Sequence, residues 1–558
     1  MRMVLLGLGW SRLSRYKDEK LSPTWRGLQR ANKRVNQRIW NFARSCIGRF
    51  ITIWNRQADM APKIFDLENN LTVAEWAKRL AIFLLGLTVF RLIALSFNAT
   101  DLFFDEAQYW SWSLDPAFGY YSKPPMIAWL IGFSSGLCGS SEFCVRLPSP
   151  LLHMATAFVI FALATRLYDA RTGFFSALAF STLPGVSLSA GIISTDVPLL
   201  LFWALALLAL TFLLENRKDW WVVPFLGGAI GLGLNAKYAM AYFILCTLIY
   251  FVMTPAYRYL LRSLRWWMAV AIGFMIITPN LLWNYENSFA TFSHTADNAK
   301  WGGSLFKPHK AIEFFGSQFG VFGPILFAGL LIIAMRWYKK GLPENDRLLL
   351  AFAVPIIIIV TIQAFISRAH ANWAAVSYVS ATVLVTATMI RDVSWTWLRI
   401  SLLIHAGLLV ALTLMLATAG SFRLPNGDDP FARTLGWENL AKETKNQLTV
   451  AAKAGQPFGN ILTIDRSVTA ELLYYLRGEK TPIRAWAPGG RPRDHYQLTR
   501  AFRGKLPEPT LLVAIGGIPF AIADRFSSVE YIAVENIPAG SGAPRRVTFA
   551  RLSGFKKK

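Results

Sequence analysis

Asp105 and Glu106 stand side by side in the segment Asp101–Leu147, among Phe103, Phe104, Tyr109 and Trp110. Paired carboxylates at an apolar edge suit a general base, because burial disfavours the charged form and raises proton affinity. A solvated loop carrying two acids has the same spacing. Tyr120-Tyr121-Ser122-Lys123-Pro124-Pro125 follows, with two prolines stiffening the chain behind one lysine, a compact charge suited to phosphate. Asp196 lies in Ser194-Thr195-Asp196-Val197-Pro198, and Lys237 in Asn235-Ala236-Lys237-Tyr238, each at a turn between apolar runs. Lysine at an outward turn runs against the positive-inside bias. Binding a lipid phosphate accounts for it, and so does snorkelling to headgroups. Ser293-His294-Thr295-Ala296-Asp297-Asn298 and Ser367-Arg368-Ala369-His370-Ala371-Asn372-Trp373 complete the candidate positions.

The elements that hold these residues are apolar. The chain has 558 residues, 54% of them hydrophobic and 16% charged, where soluble domains carry about 25% charged residues. Ala81–Phe97, Leu200–Leu214, Ala351–Ile366 and Ile400–Ala417 are nearly charge-free, and a spanning helix needs about 20 such residues, so a soluble enzyme is excluded. The pattern predicts eleven spans, at 77–97, 149–168, 173–193, 197–214, 220–236, 238–254, 266–284, 314–335, 348–366, 373–390 and 397–418. Loops with Arg166, Arg171, Arg258, Arg262, Arg265 and Arg391 read as cytoplasmic, which puts all the candidate positions and the C-terminus on the opposite face. A transporter would place its ionisable groups at mid-depth, where His153 and His405 are the chief candidates. One-sided chemistry favours an interfacial enzyme.

The formal charge is +25. The basic residues gather in short loops and in an N-terminal arm, which fits anionic headgroups rather than nucleic acid. The expected organisation is a basic cytoplasmic arm at 1–76, a membrane domain at 77–421 and a small extracytoplasmic α/β domain at 422–558. In that last domain Gly459–Ile464, Pro509–Ile515 and Ser528–Val534 read as strands and Ser467–Arg477 as a helix. Cys138 and Cys144 share the first outer loop, so one bridge is expected there.

These residues resemble the GT-C glycosyltransferases, in the bacterial branch that groups lipid A aminoarabinose transferases with relatives of protein O-mannosyltransferases. The resemblance rests on Phe104-Asp105-Glu106-Ala107-Gln108-Tyr109, Ser122-Lys123-Pro124-Pro125, Glu142-Phe143 to Arg146-Leu147, Thr195-Asp196 and Asn235-Ala236-Lys237. It covers about 77–420 and implies a polytopic α-helical protein of the bacterial inner membrane with a periplasmic site. It implies a polyprenyl-phosphate sugar donor, inversion at the anomeric carbon, and a lipopolysaccharide core or lipid A acceptor. Asp105, with Glu106 beside it, and Asp196 would be the catalytic acids. Lys123, Lys237 and Arg368 would grip the donor phosphate, with Tyr109, Tyr121, His294 and His370 around the substrates. No cofactor is expected, although a divalent metal stays open. Several relatives carry an acid where this chain has Ser122, and one His with one acid is a poor ligand set.

A phosphate leaving group calls for cations where charge grows, and a hydroxyl acceptor calls for a base. An acceptor already ionised needs no base, and Asp105 would then mainly orient it. Phe103, Phe104, Tyr109, Trp110 and Trp112 offer stacking faces to a glycolipid, or else form an interfacial belt. Lys300, Lys307, Lys310 and a basic C-terminal tail add attraction for its acidic groups. A protein O-glycosyltransferase, and a flippase for lipid-linked sugars, are the alternative readings.

Overall fold

A computed structural model describes residues 71–215, 219–299, 306–391 and 395–556. Nearly all of the basic arm at 1–76, and Lys300, lie outside the described residues. Ile64–Ile390 and Trp397–Lys558 belong to one compact unit.

A helix occupies each of the eleven apolar segments. Six of the described helices are long and apolar enough to cross a membrane: Val73–Ser96, Glu142–Leu167, Asp196–Leu214, Leu264–Glu286, Glu344–Ile366 and Trp395–Ala417. Thr72 opens the first of these with a capping box, donating to and accepting from Glu75. Its Ile82, Leu85, Val89 and Ile93 point outward, as do Phe274, Met275 and Leu403 elsewhere, which is the apolar surface a bilayer demands.

Two expected spans are broken. The segment 173–193 is a helix Ala170–Thr182 followed by a short one, Pro184–Ser189. Pro184 has no N–H to donate and pushes Leu183 into extended backbone at ψ 138°, which ends the first helix. The segment 314–335 bends by 117° between Pro308–Val321 and Pro324–Arg336. The hinge holds Gly323 at φ +88°, where a Cβ would also strike the His405 ring.

Helix Val222–Ala236 lies close against Leu264–Glu286 because glycines face the contact. A Cβ on Gly227 would come within 2.6 Å of the Ala269 carbonyl, and one on Gly231 within 2.6 Å of Ile276. That packing fixes Lys237, the residue on which the helix ends.

The segment Asp101–Leu147 is built around one buried ion pair. Arg146, from the short helix Glu142–Arg146 that opens the second long span, donates Nε to Glu106 Oε1 at 3.0 Å and Nη2 to Oε2 at 2.8 Å. Glu106 Oε1 also accepts from the Ile193 N–H at 2.8 Å, and Oε2 from the Phe103 N–H at 2.9 Å. Two further Arg146 N–H groups donate to the Thr100 and Asp101 carbonyls. Cys138 and Cys144 are disulfide-bonded with Cα atoms 5.9 Å apart, inside the usual range.

The C-terminal segment forms a five-stranded mixed sheet of β1 (Asn460–Thr463), β2 (Ile483–Ala485), β3 (Thr510–Ile515), β4 (Phe526–Ile537) and β5 (Arg545–Phe555), in the order β2-β1-β3-β5-β4. β1 pairs in parallel with β2 and β3, while β5 runs antiparallel to β3 and β4. Much of the expected basic tail lies on strand β5, and its last two lysines lie outside the described residues. The arginines of β5, Arg545, Arg546 and Arg551, flank a stretch Val547–Ala550 that is buried on both faces.

This sheet domain sits on the segment Asp101–Leu147. Leu102, Trp110, Trp112 and Tyr120 share one core with Ala470, Tyr474 and Tyr496. Tyr109, Trp110 and Trp112 are buried, so the expected stacking faces for a glycolipid reduce to Phe103 and Phe104. Trp112 instead stacks in parallel on Tyr120 with centroids 4.6 Å apart, and Trp110 meets Tyr474 edge-on.

Replacing Arg146 by Ala strands the Glu106 charge at 2% exposure. Loss of one partner of a buried pair costs about 3–5 kcal/mol. The variant is expected to melt well below wild type in detergent, and an unchanged melting temperature would show that the pair does not hold the loop.

Candidate functional site

Asp105 lies in the first turn of helix Phe104–Ser113, which begins in the loop behind the first span. Its Oδ1 accepts from Arg466 Nη1 at 2.8 Å, and the same nitrogen donates to Gln108 Oε1 at 2.9 Å. Arg466 opens helix Arg466–Tyr475 of the sheet domain, and its guanidinium lies 4.8 Å from the Phe104 ring centroid. The Asp105 side chain is 37% exposed and ion-paired, not the apolar, buried acid that the sequence suggests. Glu106, on the next bond of the helix, turns inward to Arg146 and has every oxygen engaged.

Asp196 begins helix Asp196–Leu214. Its Oδ1 accepts from Lys237 Nζ at 2.7 Å and its Oδ2 from Asn372 Nδ2 at 2.7 Å. Three turns from distant parts of the chain meet at this carboxylate. The position of Lys237 therefore has a partner on the protein as well as a charge to offer outward.

Lys123 follows a tight turn in which the Tyr120 N–H bonds the Lys123 carbonyl at 3.1 Å. Among the described residues its Nζ has no hydrogen-bonding partner. Burial, and then Lys237, push its ammonium down from the usual lysine range, while Asp105 and Asp196 pull it back up. Arg368 keeps a buried Nε without a partner, and its carbonyl accepts from Gln363. His370 is exposed and meets Trp373 edge-on.

Tyr121 and His294 meet edge-on with centroids 5.5 Å apart. The Tyr121 hydroxyl donates to the Pro492 carbonyl at 2.9 Å, and both residues line a cleft of about 490 Å³ closed by Gly489–Arg493. His294 is held in place because Thr291 donates to the Tyr120 carbonyl at 2.7 Å and Asn298 reaches its ring. Tyr109 lies beneath the site, its ring 5.2 Å from Trp112.

The residues read from the sequence thus converge, and the sequence reading missed two of their partners. Arg466 carries no local signature, since only the docking of the sheet domain brings it to Asp105. Asn372 stands in the same loop as Arg368 and His370, whose charge and ring drew attention away from its neutral amide. Lys310 pairs with Glu313 at 2.6 Å on an exposed surface. At mid-depth, His153 bonds Ser189 and His405 lies near Ser401, both local contacts between or within helices.

Comparison with known proteins places this geometry. A model of the dolichyl-phosphate-mannose-protein mannosyltransferase family matches residues 122–283. The lipid A galacturonosyltransferase RgtD of Rhizobium johnstonii is 36% identical over 444 residues, spanning 79% of this chain and 91% of that protein. The chain belongs to this GT-C glycosyltransferase family. The undecaprenyl phosphate-alpha-4-amino-4-deoxy-L-arabinose arabinosyl transferase 1 of Pseudomonas fluorescens is 34% identical over 130 residues, 22% of this chain and 23% of that one. The fold matches the structure of ArnT from Cupriavidus metallidurans bound to undecaprenyl phosphate, with a TM-score of 0.60 at 14% identity, covering 86% of this chain and 99% of that chain.

In this glycosyltransferase no group of three His, Cys, Asp or Glu side chains converges among the described residues. The residues present do not fit a metal. His294 faces the Tyr121 ring and Asn298, Ser122 stands 3.5 Å from Gln108, and Lys123 and Arg466 add positive charge around the imidazole.

Burial, reinforced by Lys123 and Arg466, pushes His294 down to about 4. An unfolded histidine protonates near about 6.5. Protons then bind the unfolded chain first, so this residue's contribution is present above that value and is lost as pH falls toward about 4. The melting temperature of His294→Gln is therefore expected to decline less steeply than wild type over that window. Parallel declines would show that the imidazole does not titrate against its cationic neighbours.

Proposed function

We propose that the protein transfers galacturonic acid from a polyprenyl-phosphate carrier to lipid A at the periplasmic face of the bacterial inner membrane. The reading is carried by the free Lys123 ammonium in the field of both Asp105 and Asp196, in a chain that aligns with nearly the whole of a lipid A galacturonosyltransferase. Residues 422–558 are then a periplasmic domain that roofs the site.

In the transfer, an acceptor hydroxyl oxygen attacks the anomeric carbon and the carbon–oxygen bond to the carrier phosphate breaks. Oδ2 of Asp105, the oxygen not held by Arg466, takes the hydroxyl proton. Lys123 and Arg368 meet the charge that collects on the departing phosphate, with Lys237 held ready by Asp196. Glu106 positions rather than reacts, since its oxygens are fully engaged by Arg146, Phe103 and Ile193. Four cations, Lys123, Lys237, Arg368 and Arg466, face two carboxylates, Asp105 and Asp196. That surplus suits a donor bearing both a phosphodiester and a uronate.

The test supplies right-side-out spheroplasts with labelled polyprenyl-phosphate galacturonate, lipid A and periplasmic protein. Label is expected in lipid A. Asp105→Asn should accumulate normally and lose at least about 100-fold in rate, the scale of general-base catalysis. Label in protein but not in lipid A would overturn the reading in favour of protein glycosylation.

A further inference from the structure

Beside the Asp105–Arg466 pair lies a second cavity, of about 330 Å³, between the first outer loop and the sheet domain. Phe104, Arg433, Trp437, Ser467 and Arg545 are among the residues that line it. Phe104 and Ser467 are the chain neighbours of Asp105 and Arg466, and the Phe104 ring lies against the Arg466 guanidinium. The cavity therefore opens one aromatic ring away from the carboxylate that would receive the acceptor's proton.

Its lining has a definite chemistry. Arg545 is anchored: its guanidinium lies 3.7 Å from the Trp437 ring centroid and donates to the Leu435 and Ala432 carbonyls at 3.3 Å each. Arg433 is different. It is exposed, its guanidinium rests 5.0 Å and 5.5 Å from the Phe103 and Phe104 rings, and among the described residues it has no carboxylate partner. Two arginines over aromatic walls, with no acid lining the cavity, select an anion attached to a flat or apolar body. A volume of about 330 Å³ is enough for part of a saccharide headgroup.

We propose that this cavity is the acceptor subsite and that Arg433 binds an oxyanion, phosphate or carboxylate, on the saccharide headgroup of the acceptor glycolipid. The proposal rests on the lipid A reading above and adds which group of the acceptor is recognised, and where. Binding there places a neighbouring sugar hydroxyl toward Asp105. The donor phosphate keeps its own cations, Lys123, Lys237 and Arg368.

The test uses the purified full-length transferase in nanodiscs with polyprenyl-phosphate galacturonate and three acceptors: phosphorylated lipid A, the same lipid A dephosphorylated, and dephosphorylated lipid A carrying acidic core sugars. Arg433→Ala should raise the acceptor KM at least about tenfold for an anionic acceptor, the scale of a hydrogen bond to a charged group. Its KM for donor, and its slow hydrolysis of donor without acceptor, should match wild type. Arg433→Lys should restore most of the loss, and the neutral acceptor should not distinguish the variants. Which anionic acceptor is affected identifies phosphate or carboxylate as the group read. Equal acceptor KM values for wild type and Arg433→Ala on all three lipids would overturn the subsite, as would a rise in donor KM alone. Wild type labelling none of the lipids would instead remove the lipid A reading and the subsite with it.

Discussion

The Glu106–Arg146 ion pair is the contact on which the rest of the site is built. It joins the segment after the first span, the short helix that opens the second, and the strand of chain that leads into Asp196 through Ile193. Isolated charges at that depth would be expensive, and the pair is tolerable only because four N–H donors saturate the carboxylate while two backbone carbonyls accept further guanidinium N–H groups. With Glu106 turned inward, helix geometry turns Asp105 the other way, toward the sheet domain. The buried acid thus sets the direction of the one that the proposed reaction uses as its base.

A second constraint is the crowding of like charges. Lys237 and Arg466 both raise the cost of holding Lys123 charged, and Arg368, Lys123 and Lys237 together do the same to a protonated His370. Asp196 neutralises Lys237, Asp105 neutralises Arg466, and Lys123 and Arg368 keep nitrogens uncommitted. Such a site is poised for an anion, whose arrival relieves the repulsion. In the proposed reaction, preorganisation of this kind would favour the transition state, where the leaving phosphate carries its largest charge.

Much of this was legible in the sequence because it is local. Apolar runs marked the helices, Lys123-Pro124-Pro125 marked a stiff cationic turn, and Asp196 and Lys237 stood out as charges at apolar turns. Where the reading failed, the cause was action at a distance. The bend at Gly323 reflects close packing against His405, and the burial of Trp110 and Trp112 reflects the docking of a domain that begins some 300 residues later. Strand β5 read as a basic tail because its partners, β3 and β4, are brought together only by the sheet. Arg466 belongs to the same class of omission.

That omission bears on the central claim, that the soluble domain completes the catalytic centre rather than merely covering it. The most direct measurement separates donor binding from transfer in Arg466→Met. Losing the guanidinium frees Asp105 and Gln108 while leaving Lys123, Lys237 and Arg368 in place. The account predicts donor affinity within a few-fold of wild type and a transfer rate reduced at least about 100-fold, the order expected when a reacting group loses its orientation. Transfer at the wild-type rate in a variant that binds donor normally would contradict it.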